Sequence, residues 1–297
     1  MIKNLDYKKN QAFELVSVII PCFNSGDTVQ QAVASVKTQT WPHVEIVVID
    51  DGSTDPSTIT TLATLSDIRV IRQKNAGLSN ARNMGFAAAM GDFLLPLDAD
   101  DWLEPNAIEE LLFALKADSR ANYSYSFMRL EGEAKGYLIK SYNFFEQLFF
   151  NQMPYCLLLR RSIVSALGGY DESMRQGYED WEFNIRLGAH GFFGCVVPKP
   201  LLHYRVSSKG MLISQSNRLH GVLWGLIQQK NTDLYRMSRL ISLWLYWRRR
   251  PSTYPLILYF AWIMVYRLLP ETWFSALFLL LRNYSHSRRI TSRNSKT

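Results

Sequence analysis

The chain has 297 residues, of which 47% are hydrophobic and 20% are charged, and its net charge at pH 7 is +7. At about 150 residues per domain, this length predicts one large domain or two modest ones, and the hydrophobic content excludes a disordered chain. The three cysteines, Cys22, Cys156 and Cys195, are far apart and odd in number, which excludes a disulfide framework and indicates a reducing compartment.

Short apolar runs alternate with helical spacing throughout the first half of the chain. The predicted strands cover residues 16–20, 44–49, 68–72 and 92–97. In the predicted helices apolar residues recur three and four positions apart, over residues 27–39, 56–65, 78–90 and 104–116. This alternation predicts βαβ units in a mainly parallel sheet flanked by helices, and so an α/β fold. In such a sheet the ligand binds beyond the carboxyl ends of the strands.

The chain becomes less regular after residue 120 and changes character again near residue 207. One helix is predicted over residues 178–190, and strands over residues 123–129, 136–140, 156–160, 192–197 and 201–206. Beyond residue 207 the pattern is that of long helices, and this part holds five of the eight tryptophans. We therefore predict an N-terminal extension of residues 1–15, an α/β domain of residues 16–207 and a helical region of residues 208–297.

Three acidic residues follow the fourth predicted strand, in the segment Asp98-Ala99-Asp100-Asp101. Alternation along an extended chain places the carboxylates of Asp98 and Asp100 on the same side. Paired carboxylates suit Mg²⁺ or Mn²⁺, which commonly bind through one or two carboxylates together with phosphate oxygens of a substrate. A solvated acidic turn that caps the helix near Glu104 is the alternative interpretation.

Two further polar segments follow predicted strands. Asp50-Asp51-Gly52-Ser53 offers carboxylates that could accept hydrogen bonds from a nucleobase or a ribose, although these residue types are ordinary in turns. In the segment of residues 75–83, Gly77 allows a ligand to approach the backbone closely. The helix that begins there favours an anion, which Arg82 could bind. The alternative is that Arg82 pairs with a nearby aspartate.

Taken in order, these segments resemble the family 2 glycosyltransferases. The resemblance starts at Val18-Ile19-Ile20-Pro21-Cys22-Phe23-Asn24 and includes the three polar segments above. It continues through Leu167-Gly168-Gly169-Tyr170-Asp171-Glu172 and Glu179-Asp180-Trp181-Glu182, so that it covers about residues 16–206. Because the nucleotide-sugar domain of that family has the GT-A fold, the resemblance implies a Rossmann-like GT-A domain over this part of the chain.

The resemblance also implies roles for individual residues. The nucleotide sugar would be bound by Pro21, Cys22, Phe23, Asn24, Asp50, Asp51, Asn75, Gly77, Arg82, Asp98, Ala99 and Asp100. A divalent cofactor, Mn²⁺ or Mg²⁺, would be held by Asp98 and Asp100. Asp180 would be the general base, with Glu179 beside it. His203 matches a place where some relatives contact the metal or the diphosphate, although a packed strand residue would have the same sequence context.

The implied reaction transfers a sugar from a nucleoside diphosphate sugar, UDP-linked by resemblance, to a hydroxyl of a growing glycan or a lipid-linked oligosaccharide. One displacement with Asp180 as the base inverts the anomeric centre, so we predict an inverting transferase. A nucleotidyltransferase is one alternative, but it would need a basic phosphate loop where this chain has Pro21-Cys22-Phe23-Asn24. A noncatalytic glycan-binding subunit is another, and it would tolerate the loss of Asp100 or Asp180, which are both present.

The C-terminal region carries the excess positive charge of the chain. From Met211 to the end, 11 arginines and 2 lysines stand against Asp233 and Glu271. Its two uncharged runs, residues 254–266 and 272–281, are shorter than the roughly 20 residues that a membrane-spanning helix needs. This region therefore does not predict an ordinary transmembrane helix.

Aromatic residues next to arginines in this region predict helices that lie on an anionic membrane. Trp244, Tyr246 and Trp247 directly precede Arg248-Arg249-Arg250. We expect a membrane-associating extension on the cytoplasmic face of the cell membrane, near a lipid-linked or surface-glycan acceptor. Alternatives are a hairpin that enters the bilayer, packing on the enzyme's own core, and packing on a second copy in a homo-oligomer. Nucleic acid is not expected as a partner, because long aliphatic runs do not serve its binding.

Overall fold

The computed structural model describes residues 14–139, 142–208 and 210–294, with side chains as far as residue 282. Most of the N-terminal extension expected over residues 1–15 lies outside the described residues. The chain forms two compact units. The first comprises the chain before residue 141 together with residues 153–175 and 186–206. The second comprises residues 141–152, 176–185 and the chain from residue 207 onward.

Four parallel strands form one half of the sheet in the first unit. They are β1 (Val16–Cys22), β2 (Val44–Asp50), β3 (Arg69–Arg72) and β4 (Phe93–Pro96). They lie in the order β3-β2-β1-β4. Every residue of β1 is buried, because this strand has a neighbour on each edge and helices cover its faces. The short apolar runs of the sequence are therefore the interior strands of a parallel sheet.

The helices of the first half follow these strands as the sequence predicts. They are α1 (Gly26–Lys37), α2 (Pro56–Ala63), α3 (Leu78–Ala88) and α4 (Ala107–Ala117). The Asp55 side chain caps α2 by accepting a hydrogen bond from the backbone N–H of Thr58 at 2.8 Å. Helix α4 begins three residues later than predicted, because residues 102–104 are extended: Trp102 and Leu103 pair with another strand, and the backbone N–H of Glu104 continues that pairing to the Leu201 carbonyl at 2.9 Å.

The second half of the sheet is mixed. Its strands are β5 (Trp102–Leu103), β6 (Ala121–Gly132), β7 (Gly136–Leu138), β8 (Leu158–Arg160) and β9 (Phe193–Val206). The full order is β3-β2-β1-β4-β8-β6-β9-β5, with β7 paired to β6. Strand β8 is antiparallel to both neighbours, whereas β9 is parallel to β6 and antiparallel to β5. The predicted α/β class is confirmed, and the antiparallel pairs fall where the sequence is irregular.

Strand β9 is continuous where the sequence predicts two strands separated by prolines. Its register against β6 shifts around Phe127, which pairs with Pro200. Since proline has no backbone N–H, a bulge at this place lets pairing resume on the far side. A further helix that the sequence analysis does not predict, α6 (Arg161–Leu167), ends at Gly168 in the left-handed conformation, with φ of 72°.

The second unit is helical and has an aromatic core. It contains α5 (Phe144–Gln147), α8 (His220–Lys230), α9 (Met237–Trp247), α10 (Leu256–Leu268) and α11 (Glu271–Asn294). Helix α7 (Glu179–Ala189) begins in this unit and ends in the first. Trp224 is fully buried, stacks on Phe274 with ring centroids 5.7 Å apart, and donates its indole N–H to the Leu148 carbonyl at 2.9 Å. Part of the C-terminal aromatic content is therefore core.

One buried carboxylate in this unit holds the segment that precedes α10. Glu146 is 1% exposed and accepts hydrogen bonds from the Ser252 hydroxyl at 2.7 Å and the Thr253 backbone N–H at 2.6 Å. It also accepts from the hydroxyl of Tyr259, a buried residue of α10. Glu146 therefore fixes the start of α10 to α5.

Helix α10 leaves an apolar stripe exposed, formed by Ile257, Ala261, Met264 and Leu268. These positions recur every three or four residues and so share one helix face. Ile257 is 71% exposed and Leu268 is 76% exposed. Within the described part of the chain, the helices are all too short or too polar to cross a membrane.

Candidate active site

The loop after β1 is bound to the loop after β2. Pro21 and Cys22 are buried at the end of β1, and Phe23 and Asn24 are exposed beyond it. Asn24 has a positive φ of 50°, and its side-chain oxygen accepts hydrogen bonds from the backbone N–H groups of Thr54 at 2.9 Å and of Asp55 at 3.0 Å. The structure thus brings two of the predicted nucleotide-binding segments together at the carboxyl edge of the sheet.

Asp50, the last residue of β2, and Asp51, which follows it, are both buried and order the loops around them. Asp50 accepts a hydrogen bond from the backbone N–H of Ser53 at 2.8 Å. Asp51 accepts from the backbone N–H of Ala76 at 2.8 Å and of Gly77 at 2.9 Å, and Gly77 has a φ of +94°. The Asp51 carboxylate therefore fixes the loop before α3, beside the exposed Asn75. A direct contact of Asp50 or Asp51 with a nucleotide stays a prediction.

Arg82 is buried against one of the acids after β4. Its side chain is 1% exposed and donates to the Asp98 carboxylate at 2.6 Å. The guanidinium also lies 5.1 Å from the ring centroids of both Tyr155 and Tyr170. This pairing with an aspartate is the alternative that the sequence left open for Arg82, and it fixes the orientation of Asp98. A contact of Arg82 with phosphate stays a prediction.

Three carboxylates meet after β4. The ligand atoms of Asp98, Asp100 and Asp101 all lie within 4.8 Å of one another. Burial, with a smaller contribution from the Asp98 carboxylate, raises the pKa of Asp100 to about 6. Burial and the two neighbouring acids raise the pKa of Asp101 well above its ordinary value. Ala99 is buried between them. Mutual repulsion of this kind is relieved when a cation joins the group.

The third acid, Asp101, is held rigidly from two directions. It is 2% exposed, and the Tyr155 hydroxyl donates to it at 2.6 Å while the backbone N–H of Arg205 donates at 2.7 Å. The same Tyr155 oxygen accepts from the backbone N–H of Asp98 at 3.0 Å. Sequence reasoning missed Tyr155 and Arg205, because both lie more than 50 residues from the acids and follow no local pattern.

The aspartate group fits a divalent cation. Hard carboxylate oxygens are the ligands that Mg²⁺ and Mn²⁺ prefer, and Asp100 is partly exposed and so accessible to an ion and a substrate. Asp98 and Asp100 would supply the ligands, whereas Asp101 already has two donors.

His203 is not brought into the aspartate group. It is 7% exposed, and its two ring nitrogens contact the carboxylates of Glu104 at 2.8 Å and Glu131 at 3.1 Å. Its ring also stacks on Trp102 with centroids 4.8 Å apart. These contacts are those of the packed strand residue that the sequence left as an alternative.

The predicted base lies in the second unit, at the start of α7. Asp180 is partly exposed, and Glu179 beside it is buried. One Asp180 oxygen accepts from the backbone N–H of Trp181 at 2.8 Å, and the other accepts from the Asn151 side-chain amide at 2.8 Å. Sequence reasoning did not identify Asn151. The carboxylate is thus oriented and accessible, which are the properties that a general base requires.

Comparison with known proteins gives a family match over half of the chain. Residues 17–168 match the family described as glycosyl transferase family 2. Over 231 residues, 73% of this chain and 32% of the relative, the sequence is 34% identical to glycosyltransferase GlyA of Streptococcus pneumoniae serotype 4. Over 102 residues, 33% of this chain and 34% of the relative, it is 38% identical to glycosyltransferase GlyG of the same organism. The chain spans about a third of the length of both relatives.

Solved structures share the fold. The S. aureus TarS fragment 1–349 in complex with UDP-GlcNAc aligns with a TM-score of 0.58 and 18% identity, over 72% of this chain and 65% of that one. The mannosyltransferase PcManGT from Pyrobaculum calidifontis, in complex with GDP-Man and Mn²⁺, aligns with a TM-score of 0.52 and 16% identity, over 90% and 85% of the two chains. At this identity the likeness concerns the fold, and the expected GT-A architecture is confirmed.

Proposed function

Because this chain belongs to glycosyl transferase family 2, we propose that it transfers a sugar from a nucleoside diphosphate sugar to an acceptor hydroxyl. The observation that carries the proposal is the group of Asp98, Asp100 and Asp101 at the carboxyl end of β4, where a parallel sheet binds its ligand. The ligands of the similar structures support a nucleotide-sugar donor, since TarS was solved with UDP-GlcNAc and PcManGT with GDP-Man. The family match favours this function over a nucleotidyltransferase or a noncatalytic subunit.

The departing group in this reaction is a nucleoside diphosphate, which gains negative charge as the sugar leaves. Asp98 and Asp100 would hold Mn²⁺ or Mg²⁺, and the bound ion supplies positive charge where that negative charge develops. Arg82 keeps Asp98 in one orientation through its 2.6 Å ion pair. Tyr155 orients Asp101 through the 2.6 Å hydrogen bond that its hydroxyl donates. The donor base and ribose would be bound by the linked loops that contain Asn24 and Asp51.

The base proposed for the acceptor is Asp180, with Glu179 beside it. The acceptor oxygen forms a bond to the anomeric carbon while the bond from that carbon to the diphosphate oxygen breaks. The hydroxyl proton passes to the Asp180 carboxylate, and the electron pair of the broken bond stays on the diphosphate. A single displacement of this kind inverts the anomeric centre, so an α-linked donor gives a β-linked product.

A donor panel tests this function. The purified chain is incubated with Mn²⁺ and with UDP-N-acetylglucosamine, UDP-glucose, UDP-galactose or GDP-mannose, and the released nucleoside diphosphate is measured with water and with glycan or lipid-linked acceptors. We expect release from at least one donor, most strongly from a UDP-sugar, that is abolished by EDTA and by Asp180→Asn. Wild-type turnover in Asp180→Asn with intact donor binding would show that the base is another residue.

The proposed acceptors are growing glycans or lipid-linked oligosaccharides at the cytoplasmic face of the cell membrane. The support is the apolar stripe of α10 together with Trp273 of α11, which is 68% exposed. Exposed apolar positions along one helix face are typical of helices that lie in the headgroup layer. Arg248, Arg249 and Arg250 are all exposed between α9 and α10, where they would meet anionic lipids.

Vesicle flotation separates this placement from a homo-oligomer. The test uses vesicles of phosphatidylcholine with phosphatidylglycerol and the double variant Ile257→Glu/Leu268→Glu. Met90→Glu is the control, because Met90 in the first unit is 70% exposed and lies outside the stripe. We expect the wild type and the control to float and the double variant to remain unbound. If the wild type stays unbound and is instead a dimer that the double variant splits, the stripe is a subunit interface.

A further inference from the structure

The side chain that holds the proposed base is itself held in one orientation. Asn151 donates its amide N–H to Asp180 at 2.8 Å. Its amide oxygen accepts from the side chains of Gln147 at 2.9 Å and Asn184 at 3.1 Å. If the amide were flipped, its NH₂ group would face the NH₂ groups of Gln147 and Asn184, and its oxygen would face the Asp180 carboxylate. Both arrangements are repulsive. The NH₂ group of Asn151 therefore faces the base.

The partners of Asn151 are rigid as well. Gln147 is fully buried, its side-chain oxygen accepts from the backbone N–H of Gln152 at 2.8 Å, and its carbonyl accepts from the Trp181 indole at 2.6 Å. Asn184 is 1% exposed on the next turn of α7. A continuous series of amides thus runs from the loop after α5 to the Asp180 carboxylate. Hydrogen bonds in such a series polarise and strengthen one another.

We propose that Asn151 is a positioning residue for Asp180, a role that rests on the proposed function of Asp180 as the base. The backbone N–H of Trp181 holds one carboxylate oxygen and Asn151 holds the other, so the plane of the carboxylate is fixed. Since displacement of a reacting group by 1 Å can lower the rate about 100-fold, this orientation matters for kcat.

An amide suits this place better than a charged donor. A lysine or arginine at 2.8 Å would also orient the carboxylate, but its positive charge would favour the ionised form strongly and make the carboxylate a poorer proton acceptor. The neutral Asn151 amide orients Asp180 but favours the ionised form of a carboxylate much less than a full positive charge does.

The isosteric variant Asn151→Asp isolates this role. The new carboxylate has the shape of the amide and keeps an oxygen toward Gln147 and Asn184, but it presents an acceptor to Asp180 in place of a donor. Two carboxylates this close share a proton, which blocks the base. With the best donor of the panel and Mn²⁺, we expect kcat to fall about 100-fold while the KM for the donor changes less than about threefold.

Two further variants complete the experiment. Asn151→Ala removes the donor without adding charge and should lower kcat about tenfold, which keeps the test valid if Asn151→Asp does not fold. Asn231→Ala is the matched control, because it removes a side-chain amide of the same unit that donates to the Ile227 carbonyl at 3.0 Å and belongs to no part of this series, so kcat should stay within about threefold of wild type.

The outcomes distinguish this inference from the proposed function. If Asp180→Asn abolishes turnover and folded Asn151→Asp and Asn151→Ala keep kcat within about threefold of wild type, Asn151 does not position the base. If Asp180→Asn itself keeps full turnover, the assignment of the base fails, whatever Asn151 does.

Discussion

The hydroxyl of Tyr155 connects two acids of the aspartate group, and its removal is the most direct test of how that group is held. Tyr155→Phe keeps the ring that stacks against Arg82 and deletes a single oxygen. That oxygen donates to the buried carboxylate of Asp101 at 2.6 Å and accepts from the backbone N–H of Asp98 at 3.0 Å. The variant therefore leaves one carboxylate oxygen and one backbone donor without these partners.

The magnitude follows from these two contacts. A hydrogen bond to a charged group contributes about 1.5–3 kcal/mol, and a buried donor left unpaired costs about 1–3 kcal/mol. Since the backbone N–H of Asp98 lies at a partly exposed residue, we expect a total loss of about 2–3 kcal/mol in the free energy of unfolding. At about 2–4 °C per kcal/mol for a chain of this size, the melting temperature should fall by about 5–10 °C.

Thermal unfolding of the metal-free protein measures this loss. The matched control is Tyr123→Phe, because Tyr123 is also buried in the first unit and its hydroxyl donates to a weak acceptor, the Met153 sulfur, at 3.4 Å. The control should lose less than about 1 kcal/mol. A Tyr155→Phe protein that melts within about 1 °C of wild type would refute the view that this hydroxyl holds the acids.

Three further variants test the acids and the aromatic core. Asp100→Asn should weaken Mn²⁺ binding at least about tenfold in a calorimetric titration, whereas Asp92→Asn, an equal charge change at an exposed residue, should leave it unchanged. Asp51→Asn should lower the free energy of unfolding in urea by about 2 kcal/mol and raise the donor KM, because an amide cannot accept from both backbone N–H groups before α3. Burial, followed by the charge of Arg282, lowers the pKa of His220 from 6.5 to about 3. Between about pH 6.5 and pH 3 the unfolded chain binds a proton at His220 and the folded chain does not, so the free energy of unfolding decreases as the pH falls through this range. His220→Phe should reduce the slope of the unfolding free energy against pH in this range by up to about 1.4 kcal/mol per pH unit. Equal slopes for the two proteins would contradict the assignment to His220.

Local sequence patterns predict the first half of the sheet well, because each strand there is a continuous apolar run. Strands β1, β2 and β4 are buried on both faces, so their hydrophobic residues are adjacent in the sequence. The polar segments after them then fall at one edge of the sheet by topology alone. The positions of Asp50, Asp98 and their neighbours followed from this argument.

Features that depend on distant pairing could not be predicted in this way. Strand β5 has only two residues and exists because Trp102 pairs with His203, a hundred positions away in the chain. The same pairing places His203 between Glu104 and Glu131 and not beside the aspartates. Tyr155 contacts Asp101 across 54 positions and Asn151 contacts Asp180 across 29, and a single sequence carries no periodic signal for either contact.

The buried carboxylate of Glu146 connects the start of α10 to the loop that contains Gln152. It accepts hydrogen bonds from Ser252 and Thr253, which precede α10, and from Tyr259 within α10. It also accepts from Gln152, the neighbour of Asn151. A tilt or shift of α10 must either break these hydrogen bonds or move the loop that contains Gln152. Because Glu146 and Asn151 lie five residues apart in one segment, we expect a displacement of α10 that moves Glu146 to shift the backbone of Asn151 as well.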